Sequence, residues 1–232
     1  MGAAIADFYA HGKASKLRVF SSLFDEDEIP VKELFRTEQQ MSALEKTALQ
    51  LAKGKVLDVG AGSGVHALAL QERALETVAI DVSPLSVEVM QKRGVRDARL
   101  TNFFAPTFTG SFNTILMLMN GSGIIGRTEH MPLFFDRLRV LLAPGGCVLM
   151  DSSDLSYLYE DEEDGMVIDL AADYYGQVDF CMQYKQVKGD SFDWLYIDFD
   201  TLSLYAEQNG FSAELVLQGK HYDYLARLSR KG

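Results

Sequence analysis

A glycine-rich turn is the part of this sequence best suited to bind a ligand. Residues 56–66 read V-L-D-V-G-A-G-S-G-V-H, an apolar run followed by Gly60, Gly62 and Gly64. Glycine lets the backbone approach a ligand where a Cβ would clash, and a following helix offers free N–H groups to an anion. Asp81 ends the next apolar run, where its carboxylate could accept hydrogen bonds from both hydroxyls of a ribose. The same residues also suit a tight strand-to-helix turn with a capping aspartate.

Two classes of ribose-bearing ligand compete for this turn. A dinucleotide-binding turn has the pattern G-x-G-x-x-G, but Val65 stands at its sixth position, and the turn has no basic residue for a pyrophosphate. An NAD-dependent oxidoreductase is therefore disfavoured. The segment instead resembles motif I of the class I S-adenosylmethionine-dependent methyltransferases, hydrophobic-x-D/E-x-G-x-G-x-G, with Asp58 at the acidic position.

The resemblance continues along the chain in the family's order. Asp81, in A-I-D-V-S-P, is similar to the acidic residue that ends the family's second strand. Residues 101–104 (T-N-F-F) stand where the loop after the third strand packs on adenine, although Asn102 replaces a frequent acidic residue. Residues 119–121 (M-N-G) follow the fourth strand, and residues 141–146 (L-L-A-P-G-G) are similar to the turn before the fifth. No [D/N]-P-P-[Y/F] follows the fourth strand, which argues against methylation of nucleic-acid bases.

The resemblance implies an enzyme that uses S-adenosylmethionine and releases S-adenosylhomocysteine. Arg36, ahead of the first strand, could pair with the methionyl carboxylate, or it could be a solvated arginine beside a buried phenylalanine. His66 opens the helix after the turn, where a cofactor contact and a local structural role fit equally well. The residues expected to bind the cofactor are Arg36, Asp58, Gly60, Ala61, Gly62, Ser63, Gly64, His66, Asp81, Val82, Asn102, Phe103, Met119 and Asn120.

The elements that would position these residues follow an α/β pattern. From Lys55 onward, apolar β-rich runs alternate with helix-like stretches, as in a parallel sheet covered on both faces. With the resemblance, this predicts a Rossmann-like seven-stranded methyltransferase sheet with a reversed C-terminal hairpin. The core is expected to span residues 55–152 and 201–232. Residues 1–54 are expected to form an N-terminal helical cap segment, and residues 153–200 an antiparallel β-rich insertion over the acceptor side.

Two helix starts are predicted from capping residues. Thr37 and Gln40 have the spacing of a capping box, which predicts a helix that begins there and ends at Gly54. The alternation of Leu195, Ile197 and Phe199 predicts a strand, after which Asp200 is expected to cap a helix that ends at Gln208.

Methyl transfer from a sulfonium is an in-line displacement, so it needs alignment and desolvation before it needs a proton acceptor. Residues 151–154 (D-S-S-D) follow the fifth strand and should face the ligand crevice at the carboxyl ends of the strands. Asp154 is the candidate general base. The alternatives are that this turn only caps the local structure, or that positioning alone drives the reaction.

Composition limits the acceptor and the location. The chain of 232 residues has 22 basic and 33 acidic residues, a formal net charge of −11, which disfavours binding to nucleic-acid phosphates. It has no apolar run of about 18 residues, and its start lacks the features of a signal peptide, so a cytoplasmic location without membrane partners is expected. The expected acceptor is a small molecule, with no metal required; the oligomeric state is open. The alternative is a non-catalytic S-adenosylmethionine-binding module or partner subunit.

Overall fold

A seven-stranded sheet forms the centre of the protein, and the computed structural model describes residues 1–161, 165–166 and 173–232. The helices of the described chain are α1 (Gly2–His11), α2 (Ala43–Leu51), α3 (Val65–Glu72), α4 (Pro84–Arg93), α5 (Met131–Leu141) and α6 (Phe199–Gln208). The strands are β1 (Leu17–Phe20), β2 (Asp27–Ile29), β3 (Val56–Val59), β4 (Thr77–Asp81), β5 (Ala98–Leu100), β6 (Phe112–Met117), β7 (Leu142–Ser153), β8 (Glu160–Asp161), β9 (Gly165–Met166), β10 (Gln177–Tyr184), β11 (Val187–Lys188), β12 (Phe192–Leu195), β13 (Phe211–Gln218) and β14 (Asp223–Arg230).

The strand order of the central sheet is β13-β14-β7-β6-β3-β4-β5. The strands from β5 to β7 pair in parallel, whereas β14 is antiparallel to both β7 and β13. The last two strands therefore form a reversed hairpin at one side of the sheet. This confirms the predicted Rossmann-like sheet and its C-terminal hairpin.

Helices cover both faces of this sheet, because its central strands are apolar on both faces. In β6, Ile115 and Met117 join a buried cluster with α5 and α6, which includes Phe134 and Phe135. Leu116, between them in the chain, joins the cluster formed with α2 and α3 on the other face. The continuous apolar run of β6 thus reflects burial on both sides.

A second sheet joins the insertion to the N-terminal segment. Its order is β11-β10-β1-β2, and β12 also pairs with β10. Leu17 in β1 pairs with Tyr184 in β10. Residues 1–54, expected to be helical, thus also contain two strands. Local pattern did not indicate them because β1 and β2 are only four and three residues long, and β10, the other neighbour of β1, is far away in sequence.

The structure corrects both predicted helix starts. The Thr37–Gln40 capping box is present, but it closes a short 3-10 turn, Glu38–Gln40, and extended backbone follows at Met41. The helix α2 begins later, with Ser42 as its cap, and ends at Leu51.

At α6 the cap is Asp198 and not Asp200, because Asp198 accepts a hydrogen bond from Thr201 N at 2.8 Å. Phe199 accordingly belongs to the helix and not to a strand. None of the helices in the described parts of the chain is long and apolar enough to cross a membrane.

Candidate functional site

The glycine-rich turn connects β3 to α3 in a left-handed backbone conformation. Gly60, Gly62 and Gly64 have φ values of +70°, +58° and +84°. A Cβ on Gly62 would have no neighbour nearer than 4.0 Å, the closest being Gly60 O and Ile5 Cδ1. A Cβ on Gly64 would lie 2.8 Å from Val95 Cγ2, so that glycine allows α3 to pack closely. The space beside Gly62 is therefore open, and the backbone of the turn borders it without a side chain.

Asp81 links the end of β4 to this turn. Its Oδ2 accepts a hydrogen bond from Gly62 N at 2.8 Å, and its Oδ1 accepts one from Ser83 N at 2.7 Å. Burial raises the pKa of Asp81, and these backbone N–H groups act in the opposite direction. Each carboxylate oxygen can accept a second hydrogen bond, so the side chain retains capacity for two hydroxyl donors.

Apolar side chains are exposed at the same edge of the sheet. Val82 is 68% exposed, Leu100 57% and Met119 42%. Val82 and Leu100 line an open groove of about 300 Å³ with Pro84, Thr101 and Asn102. Exposed apolar surface in a groove beside polar groups is typical of a binding site for a flat ligand ring.

Phe103, also expected at this site, is buried in the core against Phe104 and Phe134. Asn102 accepts a hydrogen bond from Phe104 N at 2.8 Å and so shapes the loop locally. Asn102 therefore lines the groove, whereas the side chain of Phe103 packs in the hydrophobic core under the loop.

The N-terminal segment packs over the glycine turn. Ser63 donates a hydrogen bond from its hydroxyl to Leu34 O, and Arg93 donates to Ser63 O at 2.7 Å. Ile5 in α1 packs with Leu34 and Val89 in a small buried cluster. The side chain of Ser63 is therefore used to hold this segment in place, and Ala61 is buried beside it.

Charged side chains form a buried cluster next to the turn. Glu45 pairs with Arg36, and its Oε1 lies 2.8 Å from His66 Nε2. The side chains of Glu45 and Arg36 are each 7% exposed, and that of His66 is 6% exposed. Burial acts to raise the pKa of Glu45, but the bonds from His66, Ser42 and Arg36 outweigh it and lower the value to about 2. Sequence reasoning missed Glu45, which looked like an ordinary helix residue.

Asp58 belongs to the same cluster. Its Oδ1 lies 3.8 Å from His66 Nδ1, and its Oδ2 is buried without a hydrogen-bond partner among the described residues. Burial raises the pKa of Asp58 to about 6. A buried carboxylate oxygen without a partner is costly, so a ligand that brought a donor to Asp58 Oδ2 would offset this cost.

The loop after β6 is strained and is held by Asp151. Met119 and Asn120 have φ values of 68° and 56°, a conformation that costs residues other than glycine roughly 1–2 kcal/mol each. Asp151 accepts hydrogen bonds from Met119 N at 3.1 Å and from Gly121 N at 3.0 Å. Burial raises the pKa of Asp151 to about 6. Ser153 Oγ and Asn120 Oδ1 are 3.0 Å apart and join this loop to the end of β7.

The insertion docks on this loop. A Cβ on Gly123 would lie only 1.8 Å from Trp194, so the indole packs directly on the glycine backbone. Ser122 donates a hydrogen bond to Leu195 O at 2.8 Å. Gly123 thus allows close approach of the insertion, a role that the sequence did not indicate.

Asp154, the candidate base, lies at the end of β7 against the insertion. Its Oδ1 accepts hydrogen bonds from Tyr175 OH at 2.7 Å and from Ser156 N at 2.8 Å. Asp198 lies close by, because Tyr175 OH is 3.3 Å from Asp198 Oδ2.

Most of the expected site residues meet at the carboxyl edge of the sheet. These are Gly60, Ala61, Gly62, Ser63, Gly64, Asp81, Val82, Asn102, Met119 and Asn120. Arg36, Asp58 and His66 lie in the buried cluster beside this edge.

Comparisons with known proteins agree with this geometry. The profile of the methyltransferase domain family matches residues 33–213. An S-adenosylmethionine-dependent methyltransferase from Bacteroides fragilis, crystallised with S-adenosyl-L-homocysteine, is 66% identical, with a TM-score of 0.94 over 99% of this chain and 94% of that chain. The chain belongs to the S-adenosylmethionine-dependent methyltransferases. Its cofactor is S-adenosylmethionine.

More distant relatives of this methyltransferase differ in their acceptors. The cypemycin N-terminal methyltransferase from a Streptomyces species is 30% identical over 102 residues, which are 43% of this chain and 42% of that protein. The match thus spans less than half the length of this curated relative. A sugar N-methyltransferase from Streptoalloteichus shares the fold, with a TM-score of 0.62 over 92% of this chain and 97% of that chain at 14% identity.

Proposed function

We propose that this methyltransferase acts on a small-molecule acceptor at the carboxyl edge of the central sheet. The observation that carries the proposal is the docking of the insertion on the loop after β6 through Trp194 and Ser122. This contact brings the insertion to the edge where the glycine turn and Asp81 lie. A site built between two such parts of a chain suits a compact ligand better than an extended polymer.

The residues of the site fit the cofactor in three places. The backbone of Gly62 approaches the ligand, and Asp81 accepts hydrogen bonds from the ribose hydroxyls. Val82 and Leu100 contact the adenine in their groove. The buried Asp58 Oδ2, which lacks a partner among the described residues, accepts from the ammonium of the methionine end. When bound, S-adenosylmethionine supplies a methyl group on a positively charged sulfur.

The net charge of the chain and its similarity to other methyltransferases both support a small acceptor. The net charge of −11 opposes binding to a nucleic acid. Two distant structural relatives are, by name, a sugar N-methyltransferase and an amino pentose methyltransferase. The cypemycin enzyme acts, by its name, on an N-terminus, so a peptide acceptor is the outcome that the experiment must distinguish.

The test uses S-adenosylmethionine with an isotopically labelled methyl group and a cell extract separated into small-molecule and macromolecular fractions. We expect the purified protein to label a component of the small-molecule fraction. The Gly62→Val variant serves as the inactive control, because its side chain would fill the place of the cofactor. Label found only in proteins, peptides or nucleic acids would overturn the proposal.

A further inference from the structure

Two carboxylates and two tyrosines meet where the insertion reaches the end of β7. We refer to Asp154, Asp198, Tyr174 and Tyr175 as the tyrosine–aspartate cluster. Tyr174 donates its hydroxyl proton to Asp198 Oδ2 at 2.6 Å, and Tyr175 donates to Asp154 Oδ1 at 2.7 Å. The 3.3 Å approach of Tyr175 OH to Asp198 Oδ2 joins the two pairs into one network.

The two tyrosines of the cluster belong to a group of neighbouring aromatic rings. The rings of Tyr174 and Tyr175 have centroids 4.6 Å apart, and Tyr159 lies 6.0 Å from Tyr175 at a steep angle. Tyr157 stacks on Tyr222 nearby, with centroids 4.9 Å apart. Tyrosine faces attract cations through the negative potential above the ring. Carboxylates combined with tyrosine faces therefore form a surface that favours an organic cation.

The cluster carries negative charge. Burial acts to raise the pKa of Asp198, but hydrogen bonds from Thr201 and Tyr174 outweigh it and hold the pKa below its usual value. Burial and the neighbouring aspartates raise the pKa values of Tyr174 and Tyr175, so both hydroxyls remain protonated donors. In the described parts of the chain, no lysine or arginine forms an ion pair with Asp154 or Asp198. A positively charged ligand would compensate this charge.

The cluster also lies at the correct edge of the sheet. Asp154 follows β7, which neighbours β6, and β6 neighbours β3 with its glycine turn. Adjacent strands are about 4.8 Å apart, so β7 lies to the side of β3, which leads into the turn, by roughly 10 Å. The contact between Ser153 and Asn120 holds the two strand ends together. An acceptor bound at the cluster would therefore lie at the same edge of the sheet as the glycine turn and Asp81.

We propose that the methyl acceptor is a small organic amine, recognised as a cation by the carboxylates and rings of the tyrosine–aspartate cluster. This inference rests on the proposed function and adds the chemical class of the acceptor. An ammonium first loses a proton to a carboxylate or to water, which leaves a lone pair on nitrogen. That lone pair forms the new N–C bond while the C–S bond breaks and its electrons remain on sulfur. The methylated nitrogen gains the positive charge that sulfur loses and then releases a second proton to restore a neutral amine.

The test compares two probes of nearly equal shape, benzylammonium and benzyl alcohol, by calorimetric titration into the protein saturated with S-adenosylhomocysteine. We expect benzylammonium to bind at least about tenfold more tightly, because only it carries the charge that the cluster complements. Asp154→Asn and Asp198→Asn should each weaken this binding at least about fivefold. Asparagine caps helices as well as aspartate, so Asp198→Asn should retain α6.

Asp200→Asn is the matched control, since it removes the same charge from an exposed position two residues beyond Asp198. It should leave the affinity for benzylammonium unchanged. Equal affinities for the two probes, or no binding of benzylammonium, would overturn the amine inference. Binding of S-adenosylhomocysteine is measured first, and its failure would instead contradict the proposed function.

Discussion

His66 Nε2 lies 2.8 Å from Glu45 Oε1, which couples the helix after the glycine turn to α2. The other ring nitrogen of His66 faces Asp58 Oδ1 at 3.8 Å. The helix that follows the glycine turn is therefore held by buried polar contacts and not only by apolar packing. Buried carboxyl groups make the stability of the protein depend on pH, because their pKa values differ from those in the unfolded chain.

We predict that the free energy of unfolding falls as the pH rises from about 5 to about 7. Burial raises the pKa values of Asp58 and Asp151 to about 6 in the folded protein. Between the ordinary carboxyl pKa and about 6, the folded state binds more protons than the unfolded state, so stability is greater at the lower pH. Each group should contribute on the order of 1–2 kcal/mol to this fall.

Urea unfolding at the two pH values measures the effect. In Asp58→Asn the fall should be smaller by the contribution of that one carboxyl group. Asp97→Asn is the control, because Asp97 pairs with Arg99 at the surface and its pKa is lowered instead of raised. An equal fall in the wild type and in Asp58→Asn would show that Asp58 is not the titrating group.

The parts of the fold that depend on neighbouring residues in sequence were predictable. The α/β alternation from Lys55 onward was one such part, because apolar runs and the residues between them are local signals. The glycine turn and the position of Asp81 at the end of β4 follow from the same local pattern. The resemblance then supplied the seven-stranded sheet and its reversed C-terminal hairpin, which periodicity does not contain.

The parts that depend on distant contacts were not predictable. The pairing of β1 with β10 joins segments far apart in the chain, and neither strand identifies its partner by pattern. The interaction of Glu45 with Arg36 and His66 likewise needs the folded structure. The bonds of Tyr174 to Asp198 and of Tyr175 to Asp154 also needed the folded structure, because no local pattern pairs these residues.

Gly62→Val should abolish binding of S-adenosylhomocysteine, because the valine would strain the backbone and occupy the open space beside the turn. Gly145→Val is the matched control. Gly145 has a similar φ of +71°, and a Cβ there would meet no atom within 4 Å. Calorimetry should find lost affinity only for the Gly62 variant, while both variants lose stability. Normal binding by a folded Gly62→Val protein would show that the turn does not face the cofactor.

Asp154→Asn should lower kcat about 10²-fold or more, with the affinity for S-adenosylhomocysteine unchanged, if Asp154 accepts a proton from the acceptor. The acceptor for this assay is the small molecule recovered from the labelled extract. Asparagine retains an oxygen for the bonds from Tyr175 and Ser156, so the local structure should persist. Full activity of Asp154→Asn would reject a base at this position and leave alignment as the source of the rate.

Binding of S-adenosylhomocysteine to Asp81→Ala, measured by calorimetry beside the wild type and Asp97→Ala, tests most directly whether the cofactor lies at the carboxyl edge of the sheet. The loss of charge-assisted hydrogen bonds to the ribose should weaken binding at least about tenfold in Asp81→Ala. Asp97→Ala removes an exposed carboxylate that precedes β5 and should bind as the wild type does. Unchanged affinity in a folded Asp81→Ala protein would contradict the account of the site.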